Sequence, residues 1–476
     1  MSIPNTNTLG VKEIGKLVIY TRIRNQFFTT GKISVSKFRN NYVIGHFINA
    51  DLSLLNDFST IKDHLDVVNN CLITLKQAIF IDNTNVYIKD TILLAPGNVK
   101  SLAAIGNLYG EDFRKINIDK QWYSKMDQFM NKEPLLFKKY AMRDSLITLR
   151  HAIFMEDLSF SLGGTSIPIT LASLSRLYIH KKWNSIGYEG YQKDASYLIS
   201  EADNLLTPKG LLHVGDLGFV LGYYIGNYKG GRNESFMYGI DDEQIWYDLT
   251  GAYLTAMSLL GDPDYNNLVR LDVTTLNGMS DEEILYSYII IKTDFSFKDG
   301  VKYPSIPCFL DKTTTIYPLK GSAILTGSEY IVARNIGCVF QIKDIYNIPF
   351  KRVKKASKLS IENVHERYFK QLSCLPFREC VNELQCLRRE HPKGHVLNQI
   401  YKSVANSLYG LTTKGISNKT KYDFRTKTSV RMSANELSNP LISSWITAYV
   451  RSVFGEILHN ISLQGGVVVS VTTDGL

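Results

Sequence analysis

The chain has 476 residues, enough for roughly three domains at about 150 residues each. With 44% apolar, 21% charged and 11% aromatic residues it can bury ordinary cores, which excludes a disordered chain. Lys and Arg exceed Asp and Glu by 54 to 45, and the resulting +9 favours a polyanionic partner without requiring one.

The opening MSIPNTNTLGVKEIGK lacks the basic-then-apolar layout of a signal peptide. No run reaches the ~18 apolar residues of a membrane span. A soluble, intracellular protein with no membrane partner is expected. Cys71, Cys308, Cys338, Cys374, Cys380 and Cys386 form no CxxC pair and read as reduced thiols. Even steps through Cys374, Cys380 and Cys386, with His391 and His395 beyond, do not favour zinc, because structural zinc sites use closer pairs.

In chain order, the first 200 residues alternate strand-like runs such as NNYVIGHF with helical stretches such as FKKYAMRDSLITLRHAIF. That alternation predicts an α/β domain. A Gly- and Tyr-rich passage at 222–239 punctuates the chain and reads as an inter-domain loop. Beyond it the pattern is mixed: a short strand and helix at 243–260, strands through 285–345, and long helices over 351–411 and 435–462. The last run, GGVVVSVTTDGL, is β-like. No Pro/Gly/Ser-rich linker separates these regions, so packed domains are expected.

Two carboxylates close short β runs. Ile245 to Tyr247 predicts a strand, Gly251 a tight turn, and Ala252 to Leu260 a helix stopped by Gly261 and Pro263. Asp248 therefore lies where a strand opens into a turn, a place where a carboxylate faces either a ligand or the following helix. Val467 to Thr472 predicts the first strand of a hairpin with Asp474 at its turn. Alone, Asp-Gly is an ordinary hairpin turn. Together, two aspartates on adjacent strand ends would suit two Mg²⁺ ions, which accept one or two carboxylates each and clamp an in-line displacement at phosphorus.

The segment HVLNQIYKSVANSLYGLTTKG predicts an amphipathic helix. On its wheel His395, Lys402, Asn406 and Tyr409 fall within about 60° of one another, opposite Leu397, Tyr401, Val404 and Leu408. A solvated face would account for Lys402 and Asn406, but it has little need of Tyr409 followed at once by Gly410. The alternative is a nucleotide-reading face. There Lys402 would neutralise triphosphate oxygens, Tyr409 would pack on the nascent base pair, and Gly410 would admit the template. Lys402 is in no Gly-rich phosphate loop.

Together these residues resemble family B DNA polymerases, especially the protein-primed branch of linear plasmids, adenovirus-like elements and phages. YDLTGAY at 247–253 resembles motif A, KSVANSLYG at 402–410 motif B (Kx3NSxYG), and VTTDG at 471–475 motif C. YKGGRNE at 228–234 resembles the YxGG loop, and NPLISSWITAYVRSVFGEIL the helix before motif C. GHFINADLSLL at 45–55 and KKYAMRDSLITL at 138–149 resemble the second and third exonuclease motifs.

The resemblance implies a template-directed DNA polymerase in replication of a linear plasmid or virus, using two Mg²⁺ (or Mn²⁺) ions on Asp248 and Asp474. Tyr253 would block a ribose 2′-hydroxyl, and Lys402, Asn406 and Tyr409 would bind the deoxynucleoside triphosphate. Tyr228, Gly230, Gly231, Arg232 and Gly410 would contact template and primer DNA. In the exonuclease-like part, Asp51 and Asp144 would be metal ligands and Tyr140 would orient water.

The implied fold is an RNase H-like exonuclease-type domain (1–215), then a palm with an insertion (216–350), helical fingers (351–420) and the palm up to motif C (421–476). The stretch 264–350 would be either the insertion on which a terminal priming protein docks or an elaboration of the palm. The setting would be a mitochondrion carrying a linear plasmid, or a virus in its host cell.

Three departures stand against the pattern. No DxE precedes Asp51, motif C reads Thr472-Thr473-Asp474 in place of DTD, and the sequence stops at Leu476. They suggest a polymerase truncated at both ends, without a thumb, and with an unpaired edge on its last strand. A catalytically silent DNA-binding remnant is the alternative, and a nuclease alone is disfavoured.

Overall fold

A computed structural model describes residues 18–19, 40–189, 216–239, 244–353 and 372–476, apart from short internal stretches at 54–57, 70, 75–77, 82–83, 98, 312–313, 417–419 and 424–425. The expected place of a first exonuclease motif, ahead of 40, lies largely outside these residues. The chain forms two compact units. One comprises Met1–Lys181, Cys386–Ser407 and Lys419–Met432, and the other Lys182–Gln385, Leu408–Asn418 and Ser433–Leu476.

The first unit is α/β, as the alternation predicts. Val18–Ile19, Asn40–Gly45 and Thr84–Asp90 run parallel, and Ile79–Ile81 closes the sheet antiparallel to Thr84–Asp90. Ile48, Leu52, Leu65, Leu72, Ile79 and Ile88 form a core beside it. The helix Pro134–Ser161 starts with proline at its first position, where the missing N–H is no loss. Its buried stripe includes Tyr140, Asp144, Ile147, His151 and Met155, near the 3.6-residue period.

The second unit is α+β. Its main sheet is antiparallel, in the order Lys320–Thr326, Ser287–Ser296, Val339–Pro349, Val269–Arg270. Ser287–Ser296 is buried at Tyr288, Ile289, Ile290 and Ile291, as a central strand covered on both faces must be. Helix Gly327–Asn335 opens with a capping box in which Thr326 and Glu329 exchange bonds. The helix Pro440–Leu463, capped by Asn439, runs through the unit with Trp445, Ile446 and Phe454 buried. Among the described residues no helix is long and apolar enough to cross a membrane.

Two expectations need correction. The passage 222–239 is not all loop: Asp216–Gly226 is helical, with Val220, Leu221 and Tyr224 buried, and only then does the chain loop into the strand Arg232–Ser235. Burial of those apolar residues outweighs the helix-weakening glycines. Nor is 351–411 all helix. Arg352–Val353 pairs with Leu372–Ser373, and the described helices are Arg378–Arg389 and Val396–Thr412; residues 354–371 lie outside the described part.

Candidate active site

A two-stranded sheet and the isolated bridges beside it carry the two candidate acids of the second unit. Ser470–Thr473 pairs antiparallel with Arg232–Ser235. The chain then reverses through Thr473 and Asp474, closed by Thr472 N–H to Gly475 O (2.8 Å) and Gly475 N–H to Thr472 O (3.0 Å). Thr473 takes the left-handed φ of +61° that such a two-residue turn demands. Gly475 also bridges Asp248, with Leu249 N–H donating to Asp474 O (2.8 Å) and Tyr247 and Leu476 exchanging two bonds of 2.9 Å. Asp474 is thus at a hairpin turn, as expected. On its other side Ser470–Thr473 meets the returning chain at one bridge, Thr472 to Gly475, so among the described residues the rest of that edge is unpaired, as expected. The expected strand at Ile245–Tyr247 is reduced to this single bridge at Asp248.

Asp248 is exposed and Asp474 half-buried. Opposite residues in a pair of this type, where the flanking N–H groups carry the bonds, have Cα atoms about 4.5 Å apart. Asp248 therefore sits across from the residue next to Asp474. Neither carboxylate is in an ion pair among the described residues. As oxygen donors, the two carboxylates are of the kind that a divalent ion such as Mg²⁺ accepts.

A tyrosine cluster adjoins the strands. The hydroxyls of Tyr228 and Tyr409 are 2.7 Å apart, and the rings of Tyr253 and Tyr409 stack obliquely with centroids 5.0 Å apart. Burial pushes all three phenols up, Tyr253 to about 12, so they are neutral hydroxyl groups. Gly231 lies against the same cluster: a Cβ there would come within 2.5 Å of Tyr253 Oη and 3.1 Å of Thr473 Cα. Close packing thus gives a second reason for glycine at 231, whereas Gly230 faces open space.

Arg232 departs from its expected place. It is 1% exposed, its Nε donates to Glu234 Oε2 (2.5 Å), and its guanidinium lies 3.9 Å from the centre of the Tyr317 ring. A cation so enclosed is no surface charge for DNA phosphate.

On the helix Val396–Thr412, Lys402, Asn406 and Gly410 are exposed and Tyr409 is half-buried. The buried stripe is Val396, Ile400, Val404, Leu408 and Leu411, so Ile400 takes the place assigned to Leu397 and Tyr401, which are half-buried.

In the first unit, Asp51 is half-buried in the short helix Asn49–Leu52. The turn before it is held by Asp90, whose carboxylate accepts from Phe47 N–H and Ile48 N–H, both at 2.9 Å. Asp144 is buried with Oδ2 3.3 Å from Lys115 Nζ, and that ammonium lies 5.3 Å from the centre of the Tyr140 ring. Tyr140 is 1% exposed and packs with Ile118 and Phe129, so its ring serves the core. The sequence reading missed Lys115, since a lone lysine in a polar stretch carries no local signal.

No protein-family profile matches the chain. The primer-independent DNA polymerase PolB of Escherichia coli is 28% identical over 402 residues, covering 82% of this chain and 44% of that protein. Over most of its length the chain is similar to that DNA polymerase. It spans less than half the length of that curated relative. Among solved structures, phi29 DNA polymerase complexed with primer-template DNA and incoming nucleotide matches with a TM-score of 0.55 at 12% identity, over 92% of this chain and 70% of that one. An orthorhombic crystal form of the same enzyme gives 0.53 at 14% identity, over 92% and 71%. These likenesses establish that the chain carries the polymerase fold.

Proposed function

We propose that this chain catalyses template-directed addition of deoxynucleotides to a 3′-hydroxyl, with Asp248 and Asp474 as its metal-holding acids. The observation that carries the reading is the bridge from Asp248 to Gly475, which brings two acids 226 residues apart in sequence onto neighbouring strand ends. Kinship to PolB and the phi29 fold support it. Asp248 and Asp474 would hold two Mg²⁺ ions. When bound, such ions supply charge stabilisation to the attacking and leaving oxygens.

The chain's own residues would do the rest. Tyr253, backed by Tyr409 and seated beside Gly231, would bar a 2′-hydroxyl. Lys402 and Asn406 would hold the triphosphate from their exposed helix face, with positioning and electrostatics as the source of rate. The loop at Tyr228–Gly231 would meet the template through its backbone. We further propose initiation on a priming protein and action in replication of a linear plasmid or virus; the Escherichia coli relative is described instead as primer-independent.

Primer extension on the purified chain tests the reading. Mg²⁺-dependent incorporation that vanishes in Asp248→Ala supports it. DNA binding without any incorporation by the unaltered chain would leave the DNA-binding remnant in its place.

A further inference from the structure

Within the helix Pro440–Leu463, Arg451 is only 3% exposed. A buried guanidinium must satisfy its donors, and this one divides them. Nε and Nη2 donate to Glu329 Oε1 at 3.1 and 2.7 Å, while Nη1 donates to the carbonyls of Lys229 (2.7 Å) and Gly230 (2.6 Å). Glu329 is itself fixed, because its Oε2 accepts from Thr326 N–H and Oγ1 at the cap of Gly327–Asn335. Burial alone would raise the Glu329 carboxyl, but Arg451 and Lys229 hold it below its usual range, so the pair stays charged.

Two consecutive carbonyls are thereby drawn inward on one cation, and the next residue is Gly231, pressed against Tyr253 Oη and Thr473 Cα. Thr473 is the turn residue before Asp474. A continuous set of contacts thus runs from Arg451 through the loop to the turn and to Tyr253.

We propose that Arg451, oriented by Glu329, is the positioning residue that seats the Lys229–Gly231 loop against the Asp474 turn and Tyr253, and so sets sugar selection. Lysine cannot replace it, since one ammonium lacks the planar fork that serves a carboxylate and two carbonyls together. The proposal rests on the polymerase reading for its effect on nucleotide, but not for the loop contact itself. A pair that merely stabilised the fold would leave the loop and sugar selection alone when replaced conservatively.

The test uses Arg451→Lys and Glu329→Gln in the full chain, with hydrogen exchange on peptides spanning 228–236 and 440–463 and ribose-against-deoxyribose discrimination in primer extension. The expected result is exchange raised about tenfold or more in the loop, with 440–463 still protected. Discrimination should narrow by about a decade in Arg451→Lys. Unchanged loop exchange in both variants would overturn the proposal, as would equal loss of protection in the long helix. Raised loop exchange with unaltered discrimination would break the link to Tyr253. Should the unaltered chain incorporate nothing, the polymerase reading fails, and exchange still decides the loop contact.

Discussion

Asp248 stands directly across a β-bridge from Gly475, one residue beyond Asp474. A Cβ at Gly475 would meet Thr472 Oγ1 at 3.3 Å and Tyr247 O at 3.5 Å. Because Asp248 is exposed and unpaired among the described residues, its removal has little to unfold. Asp248→Ala and Asp474→Asn should each lower incorporation by about a thousandfold or more, since a metal clamp is worth several kcal/mol at ~1.4 kcal/mol per decade. Primer extension beside circular dichroism is the check: full activity in either variant sinks the assignment.

Tyr253 touches both Tyr409 and the seat of Gly231, so its ring is held rather than free to swing aside. Tyr253→Val should therefore admit ribonucleotides while deoxynucleotide use changes little. The measurement is kcat/KM for each sugar, and an unmoved ratio would reject the role.

Lys402 is exposed on a helix whose opposite stripe is buried, so truncating it removes charge without opening a cavity. Lys402→Ala should raise nucleotide KM or lower kcat at an unchanged melting temperature. A variant that instead melted early would make Lys402 a structural residue.

Local chemistry made the turn at Asp474 readable: it follows a short β run and precedes Gly475, and turn geometry needs only a few residues to announce itself. The helix Val396–Thr412 was legible from its period: Val404 and Leu408 are buried as expected, while Val396 and Ile400 are buried in place of Leu397 and Tyr401. What escaped the sequence is non-local. Arg232 read as a surface charge because nothing nearby in sequence shows that Tyr317 will cover it. The Glu329–Arg451 pair joins residues 122 apart, yet Arg451 had a faint signature as a lone cation in the apolar run SSWITAYVRSVFGEIL. Glycines and tyrosines at 222–239 suggested a loop, and the tertiary burial of Leu221 and Tyr224 overrode them.

His151 gives the first unit an acid limit. Its Nε2 is 3.2 Å from Leu94 O, a carbonyl that can only accept, so the proton belongs there and Nδ1 accepts from Tyr109 Oη at 2.7 Å. Both contacts suit the neutral ring, and burial lowers its pKa to about 4. The unfolded chain, near 6.5, binds the proton first, so stability is fully present above about 6.5 and drains away as pH falls towards 4. The loss should approach about 3 kcal/mol at ~1.4 kcal/mol per pKa unit. Urea unfolding from pH 7 to 4 measures it, and His151→Gln, which does not titrate, should flatten that part of the slope. An equally steep slope in the variant would move the acid sensitivity to other groups.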